Sequence, residues 1–144
     1  MKYTIDTEVN LPRDKVISLF RDTSRFKSWQ PDLLDYQHKS GEVGKEGAKA
    51  DITQRFGKKE VVVEETVVSE NLPDEISYTY IAKGIWNKVE NRFAEIGPSQ
   101  TRWTFTSEFR CSGFLRVLAA IMPGLFKRAS QKYMRQFKSF AESA

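Results

Sequence analysis

Two adjacent carboxylates, Glu64 and Glu65, are the residues of this chain best suited to proton-transfer chemistry. They stand in a valine-rich stretch, residues 60–68, that is typical of a strand, and consecutive strand residues point to opposite faces. One of the two would therefore face the interior, where burial raises the pKa of a carboxyl and makes it a proton donor or acceptor. A β-bulge near the rim of the sheet would explain the same pair without chemistry, and we favour that interpretation.

The single histidine, His38, and the single cysteine, Cys111, limit other kinds of chemistry. One histidine cannot form a paired-histidine metal site, and one cysteine cannot form an internal disulfide or a multi-cysteine metal site. We interpret His38 as a surface residue near a turn and Cys111 as a buried, inert thiol. No metal site, cofactor or catalytic residue is predicted, and we favour a protein that is not an enzyme.

Two amides, Gln54 and Asn91, interrupt rows of apolar residues in stretches that alternate with a period of two. A buried amide needs a hydrogen-bond partner, because burying it without one is unfavourable. The two amides could orient the polar end of a mostly apolar ligand. They could equally bond to the backbone, to each other or to trapped water, which is the interpretation that we favour.

The elements that would position these residues follow from the pattern of the whole chain. Alternation between apolar and polar residues predicts seven strands at residues 2–9, 33–39, 48–56, 60–68, 75–83, 86–96 and 101–110. Glycine- and proline-containing turns separate consecutive strands, so neighbouring strands should be antiparallel. Helical spacing predicts a short helix from Pro12 to about Asp22, and a second helical turn carrying Phe26 and Trp29 that ends at Pro31.

The last segment changes from strand to helix periodicity. Residues 125–141 predict an amphipathic helix, and Pro123 and Gly124 should break it from any helix that begins near Leu115. Its apolar side is expected to carry Phe126, Ala129, Tyr133, Phe137 and Phe140, extended by Leu118, Met122 and Leu125. We expect this side to cover the sheet and the basic side to face solvent.

Residues 114–126 are more apolar than one helix face can bury. They could form a lid over a cavity, a dimer contact or a tip that touches a membrane transiently. The basic helix face after them permits a membrane or nucleic-acid hypothesis, but a solvated outer face explains the same charges, and no nucleic-acid partner is predicted.

The order of elements predicts an α+β protein in which a curved, seven-stranded antiparallel sheet wraps around the C-terminal helix, with two short helices between the first two strands. Four stretches carry a resemblance: residues 9–16 (VNLPRDKV), 29–32 (WQPD), 41–47 (GEVGKEG) and 137–142 (FKSFAE). In this order and spacing the chain resembles the START-like or Bet v 1-like superfamily, which includes the polyketide cyclase/dehydrase (SRPBCC) group. The resemblance implies a helix-grip fold over residues 1–144, as one domain, that holds lipids, polyketides or similar molecules.

We therefore expect a small hydrophobic molecule to bind between the sheet and the C-terminal helix without being converted. A polyketide cyclase or aromatase is the enzymatic alternative, and a filled-core domain acting through a protein or membrane surface is the third hypothesis. The inward faces of the strands predict the lining residues Trp29, Tyr36, Gln54, Phe56, Tyr78, Tyr80, Asn91, Phe93, Trp103, Phe105 and Tyr133.

Charge and cysteine content bear on location and partners. The net charge of +4 comes from the end of the chain, because residues 111–144 hold six basic residues and one acid. The first residues lack the charged stretch and apolar run of a secretory signal, and a lone cysteine suits a reducing compartment. We expect a cytoplasmic protein, either a monomer or a homodimer.

Overall fold

Seven antiparallel strands form one curved sheet in the computed structural model, which describes residues 1–144. The order across the sheet is β1-β7-β6-β5-β4-β3-β2, so β2 to β7 pair with their neighbours in sequence and β1 pairs with β7. The strands are β1 (Lys2–Val9), β2 (Leu33–Ser40), β3 (Lys49–Phe56), β4 (Lys59–Asn71), β5 (Glu75–Ala82), β6 (Ile85–Gly97) and β7 (Gln100–Cys111). The predicted sheet is confirmed.

Four α-helices accompany the sheet: α1 (Arg13–Arg21), α2 (Phe26–Trp29), α3 (Phe114–Ile121) and α4 (Leu125–Ser143). A 3-10 helix at Thr23–Arg25 precedes α2. Gly124 has a φ of 87° and separates α3 from α4, as the Pro123–Gly124 pair predicts. Leu118 belongs to α3 and Met122 follows its end, so neither residue extends the apolar side of α4. None of the helices is both long and apolar enough to cross a bilayer.

The long helix α4 is attached near its start to β1 and near its end to the residue that follows β1. Near its start, the hydroxyl of Tyr3 donates to the carbonyl oxygen of Phe126 at 3.0 Å and lies 2.6 Å from the Ser130 hydroxyl. Near its end, the Glu142 carboxylate accepts from the backbone N–H of Asn10 at 2.8 Å. These contacts hold the helix across the concave face of the sheet, so the helix-grip fold is confirmed.

Aromatic rings fill the half of the interior that lies next to α1. Phe20 of α1 packs edge-on against Phe93, Trp103 and Phe137, with ring centroids 5.4–5.8 Å apart. Trp103 and Phe137 have no exposed surface. Met134 and Ala141 of α4 are also buried here, although they were not among the apolar residues predicted for this helix.

Two strands depart from the predicted pattern at β-bulges. Alternation within β2 predicts that Leu34 faces inward together with Tyr36 and His38. The pairing with β3 shifts between Leu33 and Asp35, however, and Leu33 is the buried residue. In β4 the pairing with β5 shifts between Val67 and Ser69, and the strand continues to Asn71 rather than ending at residue 68. A bulge adds one residue to one strand of a pair, so it inverts the alternation beyond it.

Candidate ligand-binding site

A cavity of about 290 Å³, here called the central cavity, lies between the concave face of the sheet and the first half of α4. Sixteen of its 22 lining residues are hydrophobic. The aromatic rings next to α1 fill only one half of the interior, and the central cavity occupies the other half. Eight of the predicted lining residues surround it: Trp29, Gln54, Phe56, Tyr78, Tyr80, Asn91, Phe105 and Tyr133.

Three predicted lining residues lie elsewhere. Phe93 and Trp103 belong to the packed aromatic cluster, where Phe20 and Phe137 occupy the space in front of them. Tyr36 stands edge-on to Phe26 at 5.4 Å and lines a separate cleft next to α1. Alternation correctly places these side chains on the concave face of the sheet, but it cannot tell which part of that face the helices fill.

Sequence reasoning missed much of the wall that comes from β4, the β5–β6 region and α4. The predicted lining lacked Val63, Ile85, Asn87, Phe126, Ala129 and Ser130, and it lacked Glu65 although one of the Glu64–Glu65 pair was expected to face inward. The alternation of Val63, Glu65 and Val67 could have placed Glu65 in the wall, since both valines are buried. Ala129 and Ser130 are small residues of α4, and their size leaves room that the aromatic residues further along the helix do not leave.

Glu65 is the acidic group of the central cavity. Pairing of β4 with β3 and β5 is regular at this point, with Glu65 opposite Ala50 on one side and Tyr80 on the other. The bulge that we favoured as the explanation of the Glu64–Glu65 pair is therefore wrong, because the irregularity lies after Val67. Glu65 faces inward in an ordinary strand conformation, and Glu64 faces outward.

The two neighbouring carboxyls have opposite electrostatic environments. Burial raises the pKa of Glu65 to about 7, and a hydrogen bond from Tyr80 offsets part of this increase. The carboxylate of Glu64 lies 3.0 Å from the Lys39 ammonium and 3.4 Å from that of Lys49, and these bonds lower its pKa. Near neutral pH, Glu65 is therefore partly protonated, whereas Glu64 stays ionised.

Four tyrosine hydroxyls surround Glu65 from three elements: Tyr36, Tyr78, Tyr80 and Tyr133. Burial is the main cause that raises the pKa of each phenol, and the negative charge of Glu65 adds to it. The pKa of Tyr36 is about 12. These phenols therefore remain protonated near neutral pH, and their hydroxyls are hydrogen-bond donors; that of Tyr80 donates to Glu65.

The two amides singled out in the sequence have different surroundings. The Asn91 side chain accepts a bond from the Trp103 Nε1–H at 3.0 Å and donates to the carbonyl oxygen of Ile76 at 3.4 Å. Asn91 therefore bonds within the protein, in line with the interpretation that its amide has a structural role. Gln54 is half-buried in the cavity wall near Phe56, which is 58% exposed and marks the mouth of the cavity.

One buried donor of the cavity wall has no acceptor. The indole Nε1–H of Trp29 makes no hydrogen bond, although the residue is only 3% exposed. Trp29 is the last residue of α2 and packs against α4, with its ring centroid 5.0 Å from those of Tyr133 and Phe137. A buried N–H without a partner destabilises the protein, so a ligand with an acceptor atom within its reach would gain affinity there.

A second, more open space of about 650 Å³, here called the side cleft, lies between α1 and the β2–β3 hairpin. Phe26, Glu65 and Tyr78 line both the side cleft and the central cavity, so they form the partition between the two. His38 borders the cleft with an exposed ring, and its Nε2 lies 2.8 Å from the Gly41 carbonyl oxygen. Glu65 therefore lies in the wall that separates the central cavity from the side cleft.

The side chains show no metal-binding cluster, since no three His, Cys, Asp or Glu residues come together. Cys111 is half-buried at the end of β7, and burial raises the pKa of its thiol. A thiol with a raised pKa is a weak nucleophile near neutral pH.

Solved structures of distant sequence share this fold over nearly the whole chain. The Zhui aromatase/cyclase from Streptomyces sp. R1128 has a TM-score of 0.81 and 13% identity, and the match covers 99% of this chain and 93% of that one. A START superfamily protein from Mycobacterium smegmatis has a TM-score of 0.82 and 11% identity, covering 99% and 97%. The major latex-like protein 151 from Panax ginseng has a TM-score of 0.76 and 12% identity, covering 98% and 97%.

At these identities the likeness establishes the fold and not the ligand or the reaction. No curated protein matches the chain in sequence. The family described as "Polyketide cyclase / dehydrase and lipid transport" matches residues 1–142. The predicted START-like, Bet v 1-like superfamily is thus confirmed, and this chain belongs to the polyketide cyclase/dehydrase and lipid transport family.

Proposed function

We propose that the protein binds a small, mostly apolar molecule in the central cavity, with the polar end of the molecule at Glu65, and that it does not convert it. The observation that carries this proposal is the unfilled, apolar half of an otherwise closely packed interior. Ligand pockets have volumes of about 300–1,000 Å³ and few polar groups. A cavity of about 290 Å³ fits the lower end of that range and a small molecule.

The polar groups of the wall suggest what the ligand must offer. Glu65 near its pKa of about 7 can accept a hydrogen bond when ionised and donate one when protonated. The tyrosine hydroxyls and the unpaired Trp29 N–H supply donors. A ligand with an apolar body and a hydroxyl, phenol or carbonyl group at one end satisfies these groups best.

Filling the cavity tests this proposal. Val63 lines the central cavity and is 8% exposed, whereas the adjacent Val62 points outward and is 58% exposed. We expect Val63→Trp to weaken binding of the uncharged fluorescent probe N-phenyl-1-naphthylamine by at least about tenfold, because the indole occupies the volume that the probe needs. The matched control, Val62→Trp, should bind the probe like the wild type.

Native mass spectrometry of freshly purified protein supplies a readout that needs no probe. The expected result is a recurrent apolar molecule that accompanies the wild type and Val62→Trp but not Val63→Trp. A wild type that binds neither the probe nor any accompanying molecule would exclude the central cavity as a ligand site, as would equal binding by the two tryptophan variants.

A second candidate, an enzyme that acts on a polyketide-like chain, is favoured by the position of Glu65. A carboxyl with a pKa of about 7 in an apolar wall suits general acid–base catalysis near neutral pH. His38, the only histidine of the chain, has an exposed ring at the side cleft.

For the enzymatic candidate, we expect Glu65→Gln to lower the rate of conversion of an aromatic polyketide mimic by a factor of about 10²–10⁴, the usual contribution of a general acid or base. Glu64→Gln and His38→Ala should leave the rate unchanged. A wild type without any conversion, or a Glu65→Gln variant with the full rate, would remove this candidate.

A further inference from the structure

Helix α3 exposes an apolar face that no part of the chain covers. Phe114, Val117 and Ile121 are 76%, 54% and 71% exposed, and their spacing places them on one side of the helix. Met122, directly after the helix, is 41% exposed. The opposite side of α3 is anchored, because Leu115 lies against Gly84 in the β5–β6 turn. The exposed side is therefore held in place and directed away from the protein.

This face lies beside the mouth of the central cavity. The antiparallel register brings the β3–β4 turn, the β5–β6 turn and the end of β7 to the same end of the sheet. Phe56 at the first turn, Ile85 at the second and Phe126 after α3 all line the central cavity. Because Phe56 is also 58% exposed, the cavity reaches the surface at this end, here called the mouth end.

Basic residues surround the apolar face at the mouth end. The two turns, α3 and the first turn of α4 carry six exposed cations: Lys58, Lys59, Lys83, Arg116, Lys127 and Arg128. None of the six takes part in an ion pair, although other lysines and arginines of the chain do. Residues 109–141 contain no acid, and the nearest acid to the β3–β4 turn is Glu60. The positive charge of this end is therefore not balanced by ion pairs, and Glu60 is the only acid within two residues of any of the six cations.

We propose that the mouth end docks reversibly on an anionic lipid bilayer, with the apolar face of α3 in the interfacial region and the six cations among the lipid headgroups. The apolar side chains match the boundary between headgroups and acyl chains, and the flanking lysines and arginines match the anionic headgroups. A second copy of the chain would place like charges against each other, so charge complementarity favours the bilayer over a dimer. This inference goes beyond the proposed function and does not require a ligand in the cavity.

Docking would give the central cavity a direct opening towards lipid. An apolar molecule could then pass between the bilayer and the cavity at the Phe56–Phe126 mouth without crossing bulk water, which disfavours apolar surface. Because the attraction between the six cations and the headgroups is screened by salt, the docking should be strong at low salt and weaker as the salt concentration rises.

Vesicle flotation with the full chain tests the proposal. We expect the wild type to float with vesicles of phosphatidylcholine and phosphatidylserine and to stay unbound with phosphatidylcholine alone. Val117→Asp combined with Ile121→Asp should weaken binding at least about tenfold, because two apolar side chains lose their burial in the interface. Lys127→Glu and Arg128→Glu should each weaken it about fivefold or more, the contribution of one cation near an anionic surface.

Matched controls separate this site from general surface effects and from the cavity. Val62→Asp changes an equally exposed valine on the outer face of the sheet, and it should float like the wild type. Val63→Trp should also float like the wild type, while the α3 variant should still bind N-phenyl-1-naphthylamine. Failure of the docking proposal is thus distinguishable from failure of the ligand proposal.

Three outcomes would overturn the docking proposal. The first is a wild type that binds both kinds of vesicle equally or neither. The second is a loss for Val62→Asp as large as that for the α3 variant. The third is a wild-type dimer, seen by analytical ultracentrifugation, that the α3 substitutions dissociate, since the face would then belong to a second copy of the chain.

Discussion

Replacement of Phe137 with alanine is expected to lower the free energy of unfolding by about 3–5 kcal/mol, the range for large aromatic residues deleted from a core. Phe137 is fully buried on α4, and its ring centroid lies 5.0–5.8 Å from those of Trp29, Trp103 and Phe20. These three rings come from α2, β7 and α1, so one side chain connects the long helix to the sheet and to both α-helices of residues 13–29. The cavity left behind would be walled by rigid rings that cannot close it.

Urea unfolding followed by tryptophan fluorescence measures this loss. Phe114→Ala is the matched control, because the same substitution at a side chain that is 76% exposed should change stability little. If both alanine variants unfold at the same urea concentration, α4 does not pack on the sheet through Phe137, and the arrangement of the helix described above is wrong.

Glu65→Gln is expected to stabilise the protein at alkaline pH and to leave it nearly unchanged at acidic pH. The folded-state pKa of Glu65, about 7, lies above the ordinary value of 4.5, so the folded protein keeps this proton while the unfolded chain loses it. Stability contributed by the protonated carboxyl is complete below about pH 4.5 and is lost as the pH rises through about 7. The difference between the two values corresponds to about 3 kcal/mol.

Glutamine resembles the protonated carboxyl in shape and cannot ionise, so it avoids this loss. The stability of Glu65→Gln relative to the wild type should therefore rise between about pH 5 and pH 8 and level off at about 3 kcal/mol. Denaturant unfolding at a series of pH values measures it. The neighbouring groups are the four tyrosines, which stay protonated in this range, and His38, Lys49 and Arg21, which line the side cleft.

Glu64→Gln is the matched control with the opposite sign. Because Lys39 and Lys49 lower the pKa of Glu64 in the folded protein, its contribution is present above the ordinary value and is lost as the pH falls. Glutamine at this position should therefore destabilise the protein near neutral pH and have no effect in acid. Making both substitutions in a His38→Ala background removes the only histidine from the comparison. A flat pH dependence for Glu65→Gln would mean that Glu65 is not in a low-dielectric wall.

Much of the fold could be predicted because each element carries its own periodic signal. The alternation of Trp103, Phe105 and Ser107 identifies an inward face of β7, and all three are buried. Pro123 and Gly124 mark the break before α4, since these residues restrict or free the backbone wherever they occur. Such signals are local, and local signals can be read from a single sequence.

The site was less predictable because it depends on how the strands pair and on which side chains fill the interior. Adjacent glutamates suggested a bulge at Glu64–Glu65, but pairing with β5 places the extra residue after Val67. Similarly, Leu33 rather than Leu34 is buried, because the register of the pairing between β2 and β3 shifts directly after Leu33, the first residue of β2. A bulge depends on both strands of a pair, so one strand's composition does not locate it.

The sequence by itself determined the order of the strands and helices along the chain and the concave face of the sheet, because periodicity and turn chemistry act within a few residues of each other. Only the tertiary structure decided which rings pack and which line a cavity. Phe20 arrives from α1 and fills the space before Phe93 and Trp103, while Ala129 and Ser130 of α4 leave the space before Phe105 and Tyr80 open. Whether a side chain faces a neighbour or an empty volume depends on residues far away in the chain, and Glu65 owes its raised pKa to that same long-range packing.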